Sequence, residues 1–204
     1  MHTAGWTVII PVKPAVWAKS RLGLGPELAR ALALDTVAAV VACAAVARVI
    51  VVTSDAGFRP PGAEIAEEDS PEGIDAAIRT GAALARGGSS GSLLPGPLAA
   101  LLGDLPSLRP ADLAAALALA APHPHAFVPD RETTGTTLVT AAVGMPLLTA
   151  FGPDSAAAHR AVGLVQLSLP ADNTVTADVD TVDQLDRARA LGLGPATLSA
   201  LAAR

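Results

Sequence analysis

Residues 7–55 read TVIIPVKPAVWAKSRLGLGPELARALALDTVAAVVACAAVARVIVVTSD, and this segment indicates the class of fold. It opens with a β-branched apolar run at 7–12, which is typical of a buried strand, and passes into a loop that contains lysine and arginine. An alanine-rich segment from Pro26 to Val46 follows, and the proline at its first turn favours a helix. A second β-branched run, 47–55, then predicts another strand. This order of strand, loop, helix and strand indicates an α/β fold.

The same alternation continues to the end of the chain. Further strands are predicted at 63–69, at the apolar segment that stops at Gly103-Asp104, and at 125–130, 135–143, 147–151 and 165–169. Further helices are predicted at 70–87 (N-cap Ser70, first residue Pro71, end at Gly87), 110–121, 154–162 and 180–191. The pattern therefore predicts a mostly parallel sheet in one domain that spans residues 1–204.

Composition excludes several classes of protein. The net charge of −5 argues against a nucleic-acid-binding protein or one that binds an anionic membrane surface. Cys43 is the only cysteine, so neither an internal disulfide nor a cysteine zinc cluster is expected. Neither a signal peptide nor a membrane span is predicted. A cytoplasmic location is expected, and a homodimer is left open.

Parallel α/β sheets bind ligands beyond the C-terminal ends of their strands, so the residues that follow each predicted strand are candidates. They are Lys13 to Arg21, Ser54-Asp55, Asp104, Asp130-Arg131 and the segment from Asp178 to Asp180. The basic residues after the first strand could bind a polyphosphate through charge-assisted hydrogen bonds, and the alternative is a solvated surface loop. The chain contains neither a P-loop nor a dinucleotide-binding glycine motif.

The aspartates suggest a metal site. Asp104 closes an apolar run, and Asp178 and Asp180 alternate in TADVDT, so both would project from one face of an extended segment. Carboxylates from separate strand ends can share a hard cation such as Mg²⁺, which substrate phosphates often help to coordinate. The alternative is that these aspartates cap turns and helices, and Asp180 in particular precedes a predicted helix.

Five motifs, in this order, resemble one enzyme family: PVKPAVWAKSRL, GDLPSL, PDRETTGTTLV, FGPDSAAAHRA and DVDTVDQLDRA. They are similar to the 2-phospho-L-lactate or phosphoenolpyruvate guanylyltransferases of coenzyme F-420 biosynthesis. The resemblance implies a nucleotidyltransferase fold similar to glycosyltransferase-A domains, a three-layer α/β/α sandwich around a mixed sheet. It also implies transfer of GMP from GTP to a small phosphorylated three-carbon acid, with release of pyrophosphate.

The resemblance implies residue roles as well. Lys19 and Arg21 would hold the triphosphate, with Lys13 at the base of the loop, and Asp104, Asp178 and Asp180 would hold Mg²⁺. Contacts to the acceptor acid would come from Thr137, Gly152 and Ser155; the alternative for Ser155 is that it or Asp154 simply caps a helix. Asp75 stands where the family usually has asparagine, and the role of Thr136 is left open.

Two other functions remain open at this stage. One is a nucleotidyltransferase of the same fold that acts on a molybdopterin, sugar phosphate or polyol phosphate. The other is a catalytically silent nucleotide-binding subunit.

Overall fold

The computed structural model describes residues 5–13, 25–68, 72–87 and 96–203. The strands are β1 (Trp6–Pro11), β2 (Val46–Thr53), β3 (Glu64–Glu67), β4 (Leu98–Leu101), β5 (His125–Pro129), β6 (Thr136–Ala141) and β7 (Val165–Gln166). The helices are α1 (Gly25–Val41), α2 (Ile74–Arg86), α3 (Pro110–Ala120), α4 (Ser155–Ala161), α5 (Val182–Leu191) and α6 (Pro195–Ala202). A short 3₁₀ turn covers Thr174–Thr176.

The seven strands form a sheet in the order β3-β2-β1-β4-β6-β5-β7. Of the described strands, β6 alone runs antiparallel to its neighbours, so the sheet is mixed and mostly parallel, as predicted. The C-terminal ends of β1, β4 and β5 therefore lie at the same edge as the N-terminal end of β6. Residues that are distant in sequence meet at this edge.

Helices cover both faces of the sheet. On one face, Val8, Val51 and Leu101 pack with side chains of α1 and α3 in the largest apolar cluster. On the other face, Ile9 and Val52 pack against α2, and Phe127 and Val139 pack against α4. Because successive residues of a strand point to opposite faces, strands buried on both sides must be continuously apolar, as β1 and β2 are. The predicted three-layer sandwich is confirmed.

Several element boundaries differ from prediction. Helix α1 ends at Val41 and not at Val46, because the chain turns at Cys43, whose N–H donates to the carbonyl of Val40. Helix α2 begins at Ile74 because Gly73 has a φ of 102°, outside the helical region. Ser70 and Pro71, predicted to start this helix, lie outside the described residues.

Two predicted strands are wrong in whole or in part. Residues 147–151 form no strand, because side chains and not a neighbouring strand bind the N–H groups of Ala150 and Phe151. The strand predicted at 165–169 is only two residues long. Helix α6 was not predicted. In the described ranges, no helix is both long enough and apolar enough to cross a bilayer.

Candidate active site

A cleft of about 770 Å³ opens at the edge where the strand ends meet. This volume is within the usual range for small-molecule sites. Its floor comes from the ends of β1 and β4, and its walls from α1, the loop before α4 and the segment before α5. The residues that matter chemically are Lys13, Asp104, Asp130, Thr134, Thr136, Gly152, Asp154, Ser155, Asp178 and Asp180.

One backbone hydrogen bond brings the predicted metal residues together. The N–H of Val179 donates to the carbonyl oxygen of Asp104 over 3.0 Å, and the Val179 side chain is buried. Asp178 and Asp180, on either side of Val179, are therefore held next to Asp104, three residues beyond the end of β4. Asp104, Asp178 and Asp180 all line the cleft.

Two of these carboxylates have oxygen atoms with no hydrogen bond. Within the part of the chain that the structure describes, Oδ1 of Asp104 and Oδ1 of Asp178 are both buried and unpaired. Burial raises the pKa of Asp104 to about 7, with a further increase from the charge of Asp180 and a decrease from Lys13. Burial and the charges of Asp104, Asp130 and Asp180 raise the pKa of Asp178 to about 8.

Mutual repulsion of this kind is what a bound cation relieves. Hard carboxylate oxygens are the ligands that divalent cations such as Mg²⁺ and Mn²⁺ take up. The unpaired buried oxygens of Asp104 and Asp178 therefore fit the chemistry of a divalent cation.

The alternative role of Asp180, as a helix cap, does not hold. The N-cap of α5 is Thr181, which forms a reciprocal capping box with Gln184. Asp180 contributes only its backbone N–H, which donates to Oε1 of Gln184. Its carboxylate is left facing the cleft.

Asp130 and Glu132 form a second acidic group with Asp178, since one oxygen from each lies within 4.8 Å of the others. Both of the added carboxylates have structural partners. Asp130 accepts the N–H groups of Thr134 and Gly135. Glu132 pairs with Arg187 at 2.5 Å. These two residues therefore hold the loop from Asp130 to Gly135 and the side chain of Arg187 in place beside Asp178.

Two of the three predicted acceptor residues, Gly152 and Ser155, line the cleft, and the third, Thr137, does not. Gly152 has a φ of 151°, which favours glycine, and a Cβ there would meet no atom of the described residues within 4 Å. Ser155 is buried but lines the cleft. In β6, Thr136 lines the cleft, whereas Thr137 is fully buried and its Oγ1 has no partner among the described atoms. The pairing of β5 with β6 shifts register at these threonines.

Helix α4 begins after Asp154, which has a left-handed φ of 54°. Asp154 occupies the N-cap position of this helix, but among the described residues no side chain forms a capping hydrogen bond there. The capping alternative for this segment therefore has no support in the hydrogen bonds.

The basic residues are described only in part. Lys13 is exposed and lies on the cleft wall directly after β1. Lys19 and Arg21 lie outside the described residues. The Ser54-Asp55 pair, also at a strand end, has a structural role: Asp55 binds Arg30 at 2.7 Å and accepts the N–H of Gly57.

Curated relatives match the chain over nearly its whole length, although no family model matches it. One, named phosphoenolpyruvate guanylyltransferase, from Streptomyces coelicolor, is 49% identical over 98% of this chain and 96% of its own length. Another of that name, from Streptomyces avermitilis, is 48% identical over 97% of this chain and 94% of its own. The chain belongs to the phosphoenolpyruvate guanylyltransferase family. It is therefore a nucleotidyltransferase.

Solved structures share its fold at low sequence identity. A homologue of Mycobacterium tuberculosis Rv0371c from Mycobacterium sp. strain JC1 has a TM-score of 0.60 and 18% identity, over 91% of this chain and 96% of that one. A CMP:2-keto-3-deoxy-manno-octonic acid synthetase complexed with CTP has a TM-score of 0.51 and 17% identity, over 92% and 98%. These likenesses confirm the nucleotidyltransferase fold.

Two residues to which the sequence assigned no role bind neighbouring N–H groups of the loop before α4. Asp75, in the first turn of α2, accepts the N–H of Phe151 at 3.1 Å through Oδ1. His159, in α4, is fully buried and binds both Thr136 and the N–H of Ala150. The available signal for His159 was its position in the FGPDSAAAHRA motif, one helical turn after Ser155.

Proposed function

We propose that the protein transfers GMP from GTP to phosphoenolpyruvate and releases pyrophosphate. In the family that its motifs resemble, this step belongs to coenzyme F-420 biosynthesis. The observation that carries the proposal is the match, over nearly the full length, to relatives named for this reaction. The convergence of three acidic side chains in a cleft of suitable size supports it.

The chemistry requires positioning more than proton transfer. A phosphate oxygen of the acceptor forms a bond to the α-phosphorus of GTP, and the bond from that phosphorus to the bridging oxygen of the β-phosphate breaks. The attacking oxygen is already anionic, so no side chain needs to act as a general base. The protein has to hold two polyanions in line and offset their charge.

We propose Mg²⁺ as the metal, held by Asp104, Asp178 and Asp180. When bound, it would neutralise the negative charge of the converging phosphates. Asp104 and Asp178 are suited to this role because both residues line the cleft and each has one buried oxygen without a hydrogen-bond partner among the described residues.

The remaining assignments concern the two substrates. Lys13, Lys19 and Arg21 are proposed to bind the triphosphate; the position of Lys13 on the cleft wall supports its share of this role. Gly152, Ser155 and Thr137 are proposed to form the acceptor pocket. The position of Gly152 and Ser155 in the lining of the cleft supports it, and Thr137 is the buried neighbour of Thr136, which also lines the cleft.

Mass spectrometry of the reaction products tests the proposal. The purified protein is incubated with Mg²⁺, each of the four nucleoside triphosphates, and either phosphoenolpyruvate, 2-phospholactate, a sugar phosphate or no acceptor. We expect pyrophosphate and a guanylylated product with GTP and phosphoenolpyruvate. Product with a different nucleotide, or with a sugar phosphate and not with either three-carbon acid, would refute the proposed function.

A further inference from the structure

His159 links two parts of the proposed acceptor pocket. The N–H of Ala150 donates to its Nε2 over 2.9 Å, and its Nδ1 lies 2.9 Å from Oγ1 of Thr136. Ala150 belongs to the loop that leads to Gly152, and Thr136 lines the cleft at the start of β6. One buried ring therefore contacts both the loop before α4 and the first residue of β6.

These contacts determine the tautomer of the ring. A nitrogen that accepts a backbone N–H carries no hydrogen, so the single ring proton of a neutral imidazole must be on Nδ1. Nδ1–H then donates to Oγ1 of Thr136. Because this lone pair of the threonine hydroxyl is occupied, its own hydrogen is left to point elsewhere, and Thr136 lines the cleft.

The surroundings of the ring favour the neutral form. The imidazole packs between Phe127 and Phe151, with ring centroids 5.6 and 5.2 Å away. Burial lowers the pKa of His159 below its ordinary value, although the charge of Asp75 on α2 and the backbone at Ser155 oppose this effect. A charged ring would also place an N–H against the N–H of Ala150.

We infer that His159 is a positioning residue of the acceptor pocket, which holds the Ala150–Gly152 backbone in place and directs the Thr136 hydroxyl to donate to the acceptor acid. This inference rests on the proposed function, because it takes the loop from Ala150 to Ser155 as the place where the acid binds. The ligand class is an anion with carboxylate or phosphate oxygens that can accept the Thr136 hydrogen. His159 itself does not touch the substrate.

Steady-state kinetics of three variants test the inference. We expect His159→Ala to raise the KM for phosphoenolpyruvate about tenfold and to change the KM for GTP less than about twofold, since only acceptor contacts lose their orientation. His159→Gln offers one donor and one acceptor and should recover part of the loss. His125→Ala is the matched control: it removes an imidazole contact to the carbonyl of Pro146, at the far end of the same loop, and should leave both KM values unchanged.

Two kinetic outcomes would overturn the inference. One is an equal rise of both KM values in His159→Ala. The other is a lower melting temperature with both KM values intact, which would make His159 a purely structural residue. His159→Gln provides the same comparison if the alanine variant does not fold.

Long-range ¹H–¹⁵N NMR of the free protein supplies a readout that needs no substrate. We expect a neutral Nδ1–H ring for His159, assigned by its loss in His159→Gln. A charged ring or an Nε2–H ring at neutral pH overturns the inference even where transfer to phosphoenolpyruvate is confirmed. Failure of transfer with a neutral Nδ1–H ring refutes the proposed function and still supports the positioning geometry.

Discussion

Among single residues, Asp104 and Asp178 lower the stability of the folded protein when they are ionised and no metal is bound. Their pKa values of about 7 and about 8 lie well above the ordinary value of 3.8, so the folded protein retains protons that the unfolded chain has lost. Stability without metal must therefore fall as pH rises through this range. The lowered pKa of His159 acts in the opposite direction, but this contribution fades above about pH 6.5, where the imidazole of the unfolded chain loses its proton as well.

We predict that the melting temperature in chelator falls between about pH 6.5 and 8. Divalent cation should raise it more at the higher pH, because the ion binds the deprotonated carboxylates. Differential scanning calorimetry of the wild-type protein and of Asp178→Asn measures this, and the variant should show a flatter profile. A wild-type melting temperature that is constant or rises over this interval in chelator would contradict the pKa assignments.

Asp75 gives a second prediction at the residue scale. Its Oδ1 fixes the backbone of Phe151, next to Gly152. Asp75→Ala removes the acceptor and should raise the KM for phosphoenolpyruvate about fivefold, with little effect on GTP. Asp75→Asn keeps an oxygen at the same place and should behave like the wild type. If both variants behave alike in steady-state kinetics, the hydrogen bond to Phe151 is not what matters at this position.

Some of the site residues could be recognised from the sequence and others could not, because only some of them stand in an informative local pattern. Asp104, Asp178 and Asp180 follow apolar or alternating segments, so local pattern alone marked them as strand-end candidates. The partner of Asp75 is 76 residues away, and no local pattern reports a contact of that range. Thr136 and Thr137 are adjacent, and a register shift between β5 and β6 determines which of them lines the cleft.

At the scale of elements, the docking of α6 depends on one residue of α1. Oδ1 and Oδ2 of Asp35 accept the N–H groups of Ala196 and Thr197 over 3.0 and 2.7 Å, in the first turn of α6. Gly194, the N-cap of α6, has no side chain to do this. The carboxylate is buried, and apolar side chains of α1, α5 and α6 surround the contact.

We predict that Asp35→Ala lowers the free energy of unfolding by about 3 kcal/mol, because two charge-assisted hydrogen bonds are lost and two N–H groups are left unpaired. Urea unfolding followed by circular dichroism measures the change. Asp186→Ala is the control: this exposed aspartate lies 3.7 Å from Arg189 and should contribute less than about 0.5 kcal/mol. Equal costs for the two variants would show that α6 does not depend on Asp35.

A helix or strand could be predicted from the sequence where its own residues determine its conformation. The β-branched runs of β1 and β2 identify buried strands, and Pro110 marks the start of α3. Residues 147–151 are equally apolar, but side chains from α2 and α4 bind their backbone, so they form no strand. Helix α6 is capped by a residue 161 positions earlier, which no local signal could indicate.

At the scale of the whole molecule, topology assembles the site. The parallel order of β1 and β4 places Lys13 and Asp104 at one edge of the sheet, and the segment before α5 returns to that edge through the bond from Val179 to Asp104. The mostly parallel sheet was predictable from the alternation of elements. The antiparallel insertion of β6 was not, because strand direction depends on long-range pairing.

The kinetics of the Asp104→Asn, Asp178→Asn and Asp180→Asn variants test whether guanylyl transfer takes place at these three carboxylates. We predict that each variant lowers kcat/KM for GTP and phosphoenolpyruvate at least about a hundredfold, a loss of roughly 2.7 kcal/mol in transition-state stabilisation. Asp183→Asn, an exposed residue in the first turn of α5, should match the wild type. Near-wild-type turnover in two of the three cleft variants would contradict the account.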